Sequence, residues 1–201
     1  MDFGDPGGVT LVRGLFLAVL VLAWCLGAAA AENSAKTVRL EFRLVHADND
    51  ALVKKYRDEL WSSRRRANRE VEREFLEKRA PEGYELLSRT ICVPPRIPEV
   101  IYCYVAKTVE MDGSSVSRAS SVEGNEFPAH PKICLIFDAE GRKKFADLTE
   151  RNIGRDLAVV IDGKLCCAPR IRMAIVGGEI EITGSFTPEE IEAVVAGLNS
   201  K

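Results

Sequence analysis

The sequence has few of the residues and motifs from which catalytic and metal sites are built. Its two histidines, His46 and His130, lie far apart. It contains no CxxC pair, no Cys/His cluster with zinc-ligand spacing, no P-loop, no GxGxxG and no GxSxG motif. Neither sign of charge prevails, since 28 Lys and Arg stand against 30 Asp and Glu. We therefore expect no catalytic residues, no metal, no cofactor and no nucleic-acid partner.

One long uncharged run is present, close to the N-terminus. From Gly14 to Ala31 the sequence GLFLAVLVLAWCLGAAAA carries no charge, and Glu32 follows it directly. Small residues after an apolar segment are what signal peptidase reads, so residues 1–31 are predicted to be an export signal. The alternative is a retained single-pass anchor in the inner membrane, because about 18 apolar residues are just enough to span a bilayer. We expect a periplasmic or exported protein that touches the membrane only through this segment, if the segment is uncleaved.

We expect cleavage beside Ala30 and Ala31, because the small-residue run meets the polar chain there. The mass of the protein isolated from the native periplasmic and membrane fractions shows whether this cleavage has taken place. A full-length mass in the membrane fraction would show an anchor instead.

Strand and helix patterns alternate along the rest of the chain without a regular βαβ order. Residues 37–45 alternate apolar with polar residues, which predicts a strand, and residues 51–78 have the apolar spacing of one long amphipathic helix. Helices are also expected after Asp138, which can cap a helix, and after Thr187, because Thr187-Pro188-Glu189-Glu190 is a capping box. Further strands are predicted at 84–93, 100–109, 132–137, 157–161, 164–167, 171–176 and 179–183. The predicted class is α+β, a mixed or antiparallel sheet of hairpins with helices packed on it.

Glycine-containing pairs and a polar segment organise these elements. Asp162-Gly163 and Gly177-Gly178 each predict a tight hairpin turn. The serine- and glycine-rich residues 111–131 indicate a domain boundary. Three parts are expected: the signal or anchor (1–31), an N-terminal part with strand, long helix and hairpin (32–110), and an α+β domain (111–201).

The cysteines are interpreted as structural. Cys166 and Cys167 follow the Asp162-Gly163 turn in a predicted strand, where adjacent side chains point to opposite faces and cannot share a metal or substrate. They are expected to be small apolar strand residues. Cys92 and Cys103 lie on facing predicted strands at similar distances from the turn, which makes them a candidate disulfide in an oxidising compartment.

Two charged clusters are interpreted as surface features. Five arginines between residues 64 and 73 interleave with glutamates and lack aromatic platforms, which indicates a solvated or partner-docking helix face and not a nucleic-acid site. His46, Asp48 and Asp50 lie at a strand-to-helix junction, where such residues cap helices, so they are not interpreted as metal ligands.

The segment FDAEGRKKFADLTERNIGRDLAVVIDGKLCCAPRIRMAIVGGEIEITGSFTPEEIEAV carries a long composite motif, D-x-E-G, N-I-G-R, D-G, A-P, G-G and I-T-G-x-F-T. It closely resembles the head subdomain of the first periplasmic domain of SecD, a subunit of the bacterial preprotein translocase. Upstream, LEFRLVHADND and PEGYELL are similar to the segment that leads into that head. Where the family has an aliphatic residue and a serine, this chain has Cys166 and Cys167. The motif positions are Asp138, Glu140, Gly141, Phe145, Asn152, Gly154, Arg155, Asp162, Gly163, Ala168, Pro169, Gly177, Gly178, Thr183, Gly184, Phe186 and Thr187.

The resemblance implies a non-enzymatic, exported protein that binds a polypeptide chain or Sec translocase subunits and acts in translocation across the inner membrane. No apolar segment follows the motif, so we expect the intramembrane carboxylates through which the family couples proton flow to export to be absent. Complete SecD function is therefore not carried over. The alternative is a structural or protein-interaction module outside the translocase, with the Arg/Glu-rich helix as its docking element. A thiol redox protein that uses Cys166 or Cys167 is the third hypothesis.

Overall fold

The computed structural model describes residues 37–63, 68–91, 98–123, 131–184 and 186–200. All pairings between its named strands are antiparallel, and helices pack on the sheets, which confirms the predicted α+β class. In chain order the elements are β1 (Leu40–Leu44), α1 (Asn49–Ser63), α2 (Arg69–Glu77), β2 (Tyr84–Ile91), β3 (Glu99–Ala106), β4 (Met111–Asp112), a 3-10 turn (Gly113–Ser115), β5 (Val116–Val122), β6 (Lys132–Phe137), α3 (Ala139–Arg151), β7 (Leu157–Ile161), β8 (Lys164–Cys167), β9 (Glu179–Ile182) and α4 (Pro188–Asn199).

The main core lies between two sheets and two helices. One sheet has the strand order β4-β1-β7-β8 and the other β5-β6-β9. The alternation in β1 turns Leu40, Phe42 and Leu44 into this core, as the period of two predicts. Phe42 meets the rings of Phe137 and Phe145 edge-on, with centroids 5.9 and 5.3 Å away. α3 and α4 close the core through side chains at helical spacing, among them Phe145, Leu148, Ile191, Val194 and Leu198.

The opposite face of the first sheet is covered by the β2–β3 hairpin. Cys103 and Val105 of β3 pack on Val160 of β7 and Leu165 of β8. Arg43 is buried between these layers, where its Nε donates to the Ala106 carbonyl at 2.6 Å and its guanidinium pairs with Glu41 and Glu85. The buried cation is thus neutralised and hydrogen-bonded, as burial of a charge requires.

The helices α1 and α2 cover the outer face of the same hairpin. Tyr104 is fully buried there, and its hydroxyl donates to the Leu76 carbonyl at 3.0 Å. Asn49 joins α1 to β3: its side-chain oxygen accepts from the Tyr104 amide at 2.8 Å and its Nδ2 donates to the Tyr102 carbonyl at 3.3 Å. A buried amide that is satisfied on both sides fixes the position of α1.

The prediction of one long helix over residues 51–78 is wrong. α1 ends at Ser63, and α2 begins at Arg69 as a separate helix. Asn68 has extended backbone angles (φ −90°, ψ 173°), and its side-chain oxygen accepts from the Val71 amide at 2.8 Å. This is an N-cap, which starts a new helix and so divides the apolar pattern in two. Residues 64–67 lie outside the described residues.

Of the two predicted hairpin turns, one is confirmed and one is wrong. Asp162 (φ 49°) and Gly163 (φ 79°) join β7 to β8 in the left-handed conformations that a two-residue hairpin requires. The predicted strand 171–176, by contrast, is irregular, and β9 pairs with β6. In this segment Ile171 and Ile175 hold a loop against the fold, as described below. Sequence periodicity alone does not distinguish their spacing from that of a strand.

The glycines at 177 and 178 have different structural roles, so we expect unequal effects of substitution. Gly178 has φ +71°, and an added Cβ would lie 2.7 Å from the Arg142 Nε, while the space around Gly177 is open and its φ is not positive. Gly178→Ala should lower the free energy of unfolding by about 1 kcal/mol or more, and Gly177→Ala should change it by less than about 0.5 kcal/mol. Urea unfolding of the two variants measures both. Equal effects would contradict the assignment.

The domain boundary placed at residue 110 stays a prediction, and the first sheet crosses it. Met111 and Asp112 in β4 pair with Phe42 and Glu41 in β1, directly after the expected boundary. The same strand β1 pairs along its full length with β7, over the register from Leu40↔Ile161 to Leu44↔Leu157. Residues from both sides of position 110 therefore build the main core.

Candidate functional site

Three large apolar side chains are exposed on two adjoining segments, after the end of α3 and in the loop between β8 and β9. Ile153 is 55% exposed, Met173 69% and Val176 68%, so that the last two are the most exposed large apolar side chains of the described residues. Main-chain hydrogen bonds join the two segments at residues 154, 155 and 171. Apolar side chains exposed on adjoining segments are candidates for an interaction site. We call these three residues the apolar loop surface.

Backbone hydrogen bonds hold the apolar loop surface in place. The Ile171 amide donates to the Arg155 carbonyl and the Gly154 amide donates to the Ile171 carbonyl, both at 2.8 Å. Further along, the Ile175 amide donates to Oγ1 of the buried Thr149 at 2.9 Å, and the Gly178 carbonyl accepts from the Phe137 amide at 2.9 Å. The loop that carries Met173 and Val176 is therefore hydrogen-bonded to the fold before, between and after these two residues. A loop held in this way loses less conformational entropy when a ligand binds.

Basic side chains prevail around this surface. Arg170 is engaged by Asp156, with Nε to Oδ1 at 2.9 Å, so these two charges offset each other. Within three residues of the exposed apolar residues lie three further cations, Arg151, Arg155 and Arg172, and two further acids, Glu150 and Glu179. The local balance favours a ligand that carries carboxylates beside its apolar groups.

The motif residues Asn152, Gly154 and Arg155 form the base of the loop. Asn152 is the C-cap of α3, and its Nδ2 donates to the Leu148 carbonyl at 2.8 Å. Gly154 adopts φ +86°, which residues with a Cβ adopt at a cost. Arg155 donates from Nη1 to the Asn152 side-chain oxygen at 3.1 Å, and its main-chain carbonyl holds Ile171. The N-I-G-R motif thus ends the helix and positions the loop.

The first motif residues set the start of α3. Asp138 caps the helix and accepts from the Gly141 amide at 2.7 Å, while Glu140 pairs with Lys144 at 2.7 Å. An added Cβ at Gly141 would lie 2.6 Å from the Ser115 Cβ and 2.9 Å from the Ser115 carbonyl oxygen. Glycine is required here because the helix approaches the 3-10 turn so closely. Phe145 is buried in the main core.

The remaining motif residues also act on architecture. The Pro169 carbonyl accepts from the Leu157 amide at 2.9 Å, and Ala168 packs on the core under the hairpin. An added Cβ at Gly184 would lie 2.6 Å from the Phe186 ring, which explains the G-x-F spacing. Thr187 forms the predicted capping box with Glu190, while Thr183 is exposed. The motif residues are spread over the fold and do not converge on one cleft. Ala30, Ala31 and Cys92 lie outside the described residues.

A family model described as "SecDF, P1 head subdomain" matches residues 93–200 of this chain. The chain belongs to the SecDF P1 head family. The resemblance seen in the motif is thereby confirmed, and the match covers the motif, both edges of the β5-β6-β9 sheet and the apolar loop surface.

Relatives and solved structures agree with this family. The chain is 37% identical over 112 residues to the translocase subunit SecD of Acidaminococcus fermentans (51% of this chain, 27% of that protein) and 30% identical over 167 residues to SecD of Desulfurispirillum indicum (80% and 27%). It thus spans about a quarter of the length of these relatives. A structure described as a membrane component SecDF that enhances protein export matches with a TM-score of 0.50 and 29% identity, over 94% of this chain and 71% of that one. SecDF in its super-membrane-facing form matches with a TM-score of 0.51 and 29% identity, over 83% and 19%.

The two neighbouring cysteines of this SecDF P1 head lie in β8, as predicted, but not on opposite faces. Val160 pairs with Leu165 and Val159 pairs with Cys167, so Cys166 is the extra residue of a β-bulge. Cys166 is buried in the main core and Cys167 packs against the same core. Burial raises the pKa of Cys166 to about 12 and that of Cys167 to about 11, against an opposing effect of Arg89 on Cys167. Reactive cysteines have the opposite shift, which argues against a thiol redox centre.

The shifted thiols predict a loss of stability in alkaline solution. Burial raises the pKa of Cys103 also to about 11, so three thiols bind protons more tightly in the folded state than in the unfolded one. Their contribution to stability is full below the ordinary thiol pKa of about 9 and is lost as the pH rises through 11 and 12. We expect the urea midpoint to fall from about pH 9 upward. Lysines and tyrosines titrate in the same range, so the contribution of the thiols is the difference from a variant that lacks them. In the triple variant Cys103→Ala, Cys166→Ala, Cys167→Ala the urea midpoint should fall less steeply with pH above 9. An unchanged slope of midpoint against pH would contradict the raised pKa values of the thiols.

The disulfide proposed between Cys92 and Cys103 is not supported by the strand register. Cys103 is a free, buried thiol whose partner across the β2–β3 hairpin is Leu87. The register thus pairs Cys103 with a residue five positions before Cys92 in sequence, and the disulfide stays a prediction. Cys92 itself lies outside the described residues.

Other candidate sites in the described part of the chain are structural. His46 accepts through Nδ1 from the Asp48 amide at 3.1 Å and stacks edge-on against Tyr84, in agreement with a junction role. Among the described residues no group of three or more His, Cys, Asp or Glu side chains is placed to hold a metal ion. The described helices include none that is both long and apolar enough to cross a bilayer.

Sequence reasoning missed Ile153, Met173 and Val176. The segment of Met173 and Val176 has the composition of a strand, and Ile171 and Ile175 are indeed held against the fold. The available signal was the pair Arg170 and Arg172 among apolar residues, which is unusual for a strand that is buried on both sides.

Proposed function

We propose that this chain serves protein translocation by binding extended, apolar stretches of polypeptide at the apolar loop surface. The observation that carries the proposal is the exposure of Met173 and Val176 on a loop that is hydrogen-bonded into a SecDF P1 head at Ile171, Ile175 and Gly178. One structural relative is described as a component that enhances protein export, which supports the same role here.

The chemistry of the surface suits a ligand without a fixed sequence. A methionine side chain is flexible and polarisable, so it packs against many apolar partners. The neighbouring Arg151 and Arg172 favour segments that also carry carboxylates. Three side chains form a small contact, so we expect weak, reversible binding that releases a chain as readily as it captures it.

Site-specific photocrosslinking in intact cells tests the proposal. A crosslinking amino acid at Met173 should capture many different proteins in the course of export. The matched control is the same amino acid at Lys78, whose side chain is 70% exposed next to α2. Equal capture at both positions, or capture of no exported chain at Met173, would refute binding at the loop.

One observation favours a second candidate, a protein-interaction module that docks through α1 and α2. Trp61 is 52% exposed near the end of α1. Exposed tryptophans frequently anchor interfaces. Deletion of residues 51–78 would remove Val53, Leu60 and Leu76 from the core, so Trp61→Ser is the better test. A single partner that is crosslinked at Trp61 and lost with Trp61→Ser would support this candidate over polypeptide binding.

A further inference from the structure

The two edge strands of the β5-β6-β9 sheet differ in whether their outward main-chain groups are hydrogen-bonded. At the β5 edge, the side chain of Asn199 in α4 takes the place of a neighbouring strand. The Ala119 amide donates to the Asn199 Oδ1 at 2.8 Å, and the Asn199 Nδ2 donates to the Ala119 carbonyl at 2.9 Å. The amide of one side chain therefore satisfies both outward main-chain groups of Ala119. Covering an edge in this way prevents strand addition.

The β9 edge has no such cover in the described part of the chain. There β9 has β6 as its sheet neighbour on one side and none on the other. The Phe137 amide donates to the Gly178 carbonyl, so these two residues form a hydrogen-bonded pair at the end of the β6–β9 register. Hydrogen-bonded and non-bonded pairs alternate along antiparallel strands, so Ile180 and Ile182 are hydrogen-bonded to β6. The main-chain N–H and C=O groups of Glu179 and Glu181 therefore point away from β6.

The side chains of β9 determine what chemistry fits that edge. Ile182 is buried in the main core and Ile180 packs against it, whereas Glu179 and Glu181 lie on the other face, where both are exposed. Lys132 on β6 is 3.5 Å from Glu181, so a cation already occupies the inner side of this carboxylate row. A strand beside β9 would meet apolar neighbours on one face and two carboxylates on the other.

We propose that the β9 edge accepts an extended polypeptide segment as an additional strand, and that the segment alternates apolar residues with lysine or arginine. The inference rests on the proposed function for its occupant, a polypeptide, but uses different atoms. Main-chain hydrogen bonds between β9 and the added segment provide the affinity. The alternation of apolar and basic side chains provides the preference for one kind of sequence. Gly178 connects β9 directly to the loop that carries Met173 and Val176, so one extended chain can reach both surfaces.

The test uses a fluorescent six-residue peptide that alternates valine with lysine, and the full-length protein. The wild-type protein should bind it more tightly than it binds a valine–glutamate peptide. N-methylation of alternate peptide groups, which removes donors without changing side-chain charge, should weaken binding by about tenfold. Equal binding of the N-methylated and unmodified peptides would overturn strand addition, because side chains alone would then account for the complex.

Two variants at one position separate the main chain from the side chain. Glu181→Ala removes the carboxylate and keeps the outward N–H, so the affinity should fall by about threefold or less. Glu181→Pro removes both, and because this N–H does not bond to β6 the ladder should stay intact. A further loss of about tenfold is expected for the proline variant, at an unchanged far-UV spectrum. Equal affinities of the alanine and proline variants would refute the proposal.

The outcomes for the two proposals are distinguishable. If the β9 variants bind the peptide as the wild type does while a Met173 crosslink still captures exported chains, strand addition is refuted and the proposed function stands. If the peptide binds at β9 and Met173 captures nothing, the loop is refuted as the capture site. Dimerisation through β9, seen as a larger species that Glu181→Pro dissolves, would identify a second copy as the occupant and overturn the polypeptide assignment.

Discussion

Gly141→Val should lower the free energy of unfolding by about 3 kcal/mol, the upper end for overpacking in a dense interior. Its Cβ would lie 2.6 Å from the Ser115 Cβ and 2.9 Å from the Ser115 carbonyl oxygen. That oxygen already accepts from the Asp138 amide at 3.0 Å, so the 3-10 turn cannot retreat without losing this bond. Urea unfolding followed by circular dichroism measures the change.

Gly163→Ala is the matched control for this substitution. Gly163 has φ +79°, but nothing lies within 4 Å of its added Cβ, so the cost should be backbone strain alone, roughly 1 kcal/mol. The comparison separates a glycine that is needed for close approach from one that is needed for its dihedral angle. If the two variants were equally stable, the contact between α3 and the 3-10 turn would not limit the packing.

The second large effect is on binding. The triple variant Ile153→Ser, Met173→Ser, Val176→Ser should reduce the affinity for a carboxymethylated polypeptide that stays unfolded in buffer by roughly 100-fold, at about 1 kcal/mol for each apolar side chain removed from the contact. Stability should change little, because all three side chains are more than half exposed. Fluorescence anisotropy of the labelled polypeptide measures the affinity.

The control for the triple variant replaces exposed apolar residues elsewhere. Val109→Ser with Val122→Ser removes side chains that are 40% and 39% exposed, outside the loop. This double variant should bind the unfolded polypeptide as the wild type does. Comparable losses in both variants would mean that general hydrophobicity, and not the apolar loop surface, accounts for the binding.

The features that sequence predicts well here are those that depend on neighbouring residues. The alternation in β1, the Asp162-Gly163 turn and the Thr187 capping box each follow from a few adjacent side chains, and the structure confirms all three. The long motif identified the family for a similar reason. Its residues cap helices, form turns and allow close packing of the backbone. They can therefore be recognised as a sequence pattern even though they do not form one cleft.

The features that sequence did not predict depend on partners distant in the chain. The bulge at Cys166 is defined by which residues of β7 it faces, and the exposure of Met173 follows from Ile175 bonding to Thr149. An apolar pattern shows that a segment has a buried side but not where the burying surface lies. The Asn68 cap could have been recognised, since asparagine before an acidic first turn is an N-terminal signal.

The amide of Asn199 has a consequence for the order in which the fold is completed. Asn199 and Ala119 are 80 residues apart, so the β5 edge stays open while the intervening chain is being made and delivered. Contacts of such long range form late, and uncovered edges are where nascent domains associate with one another. If the chain emerges N-terminus first, the β5-β6-β9 sheet has two uncovered edges among the described residues until α4 docks, and only the β9 edge afterwards. The period of greatest risk for self-association thus ends when α4 docks.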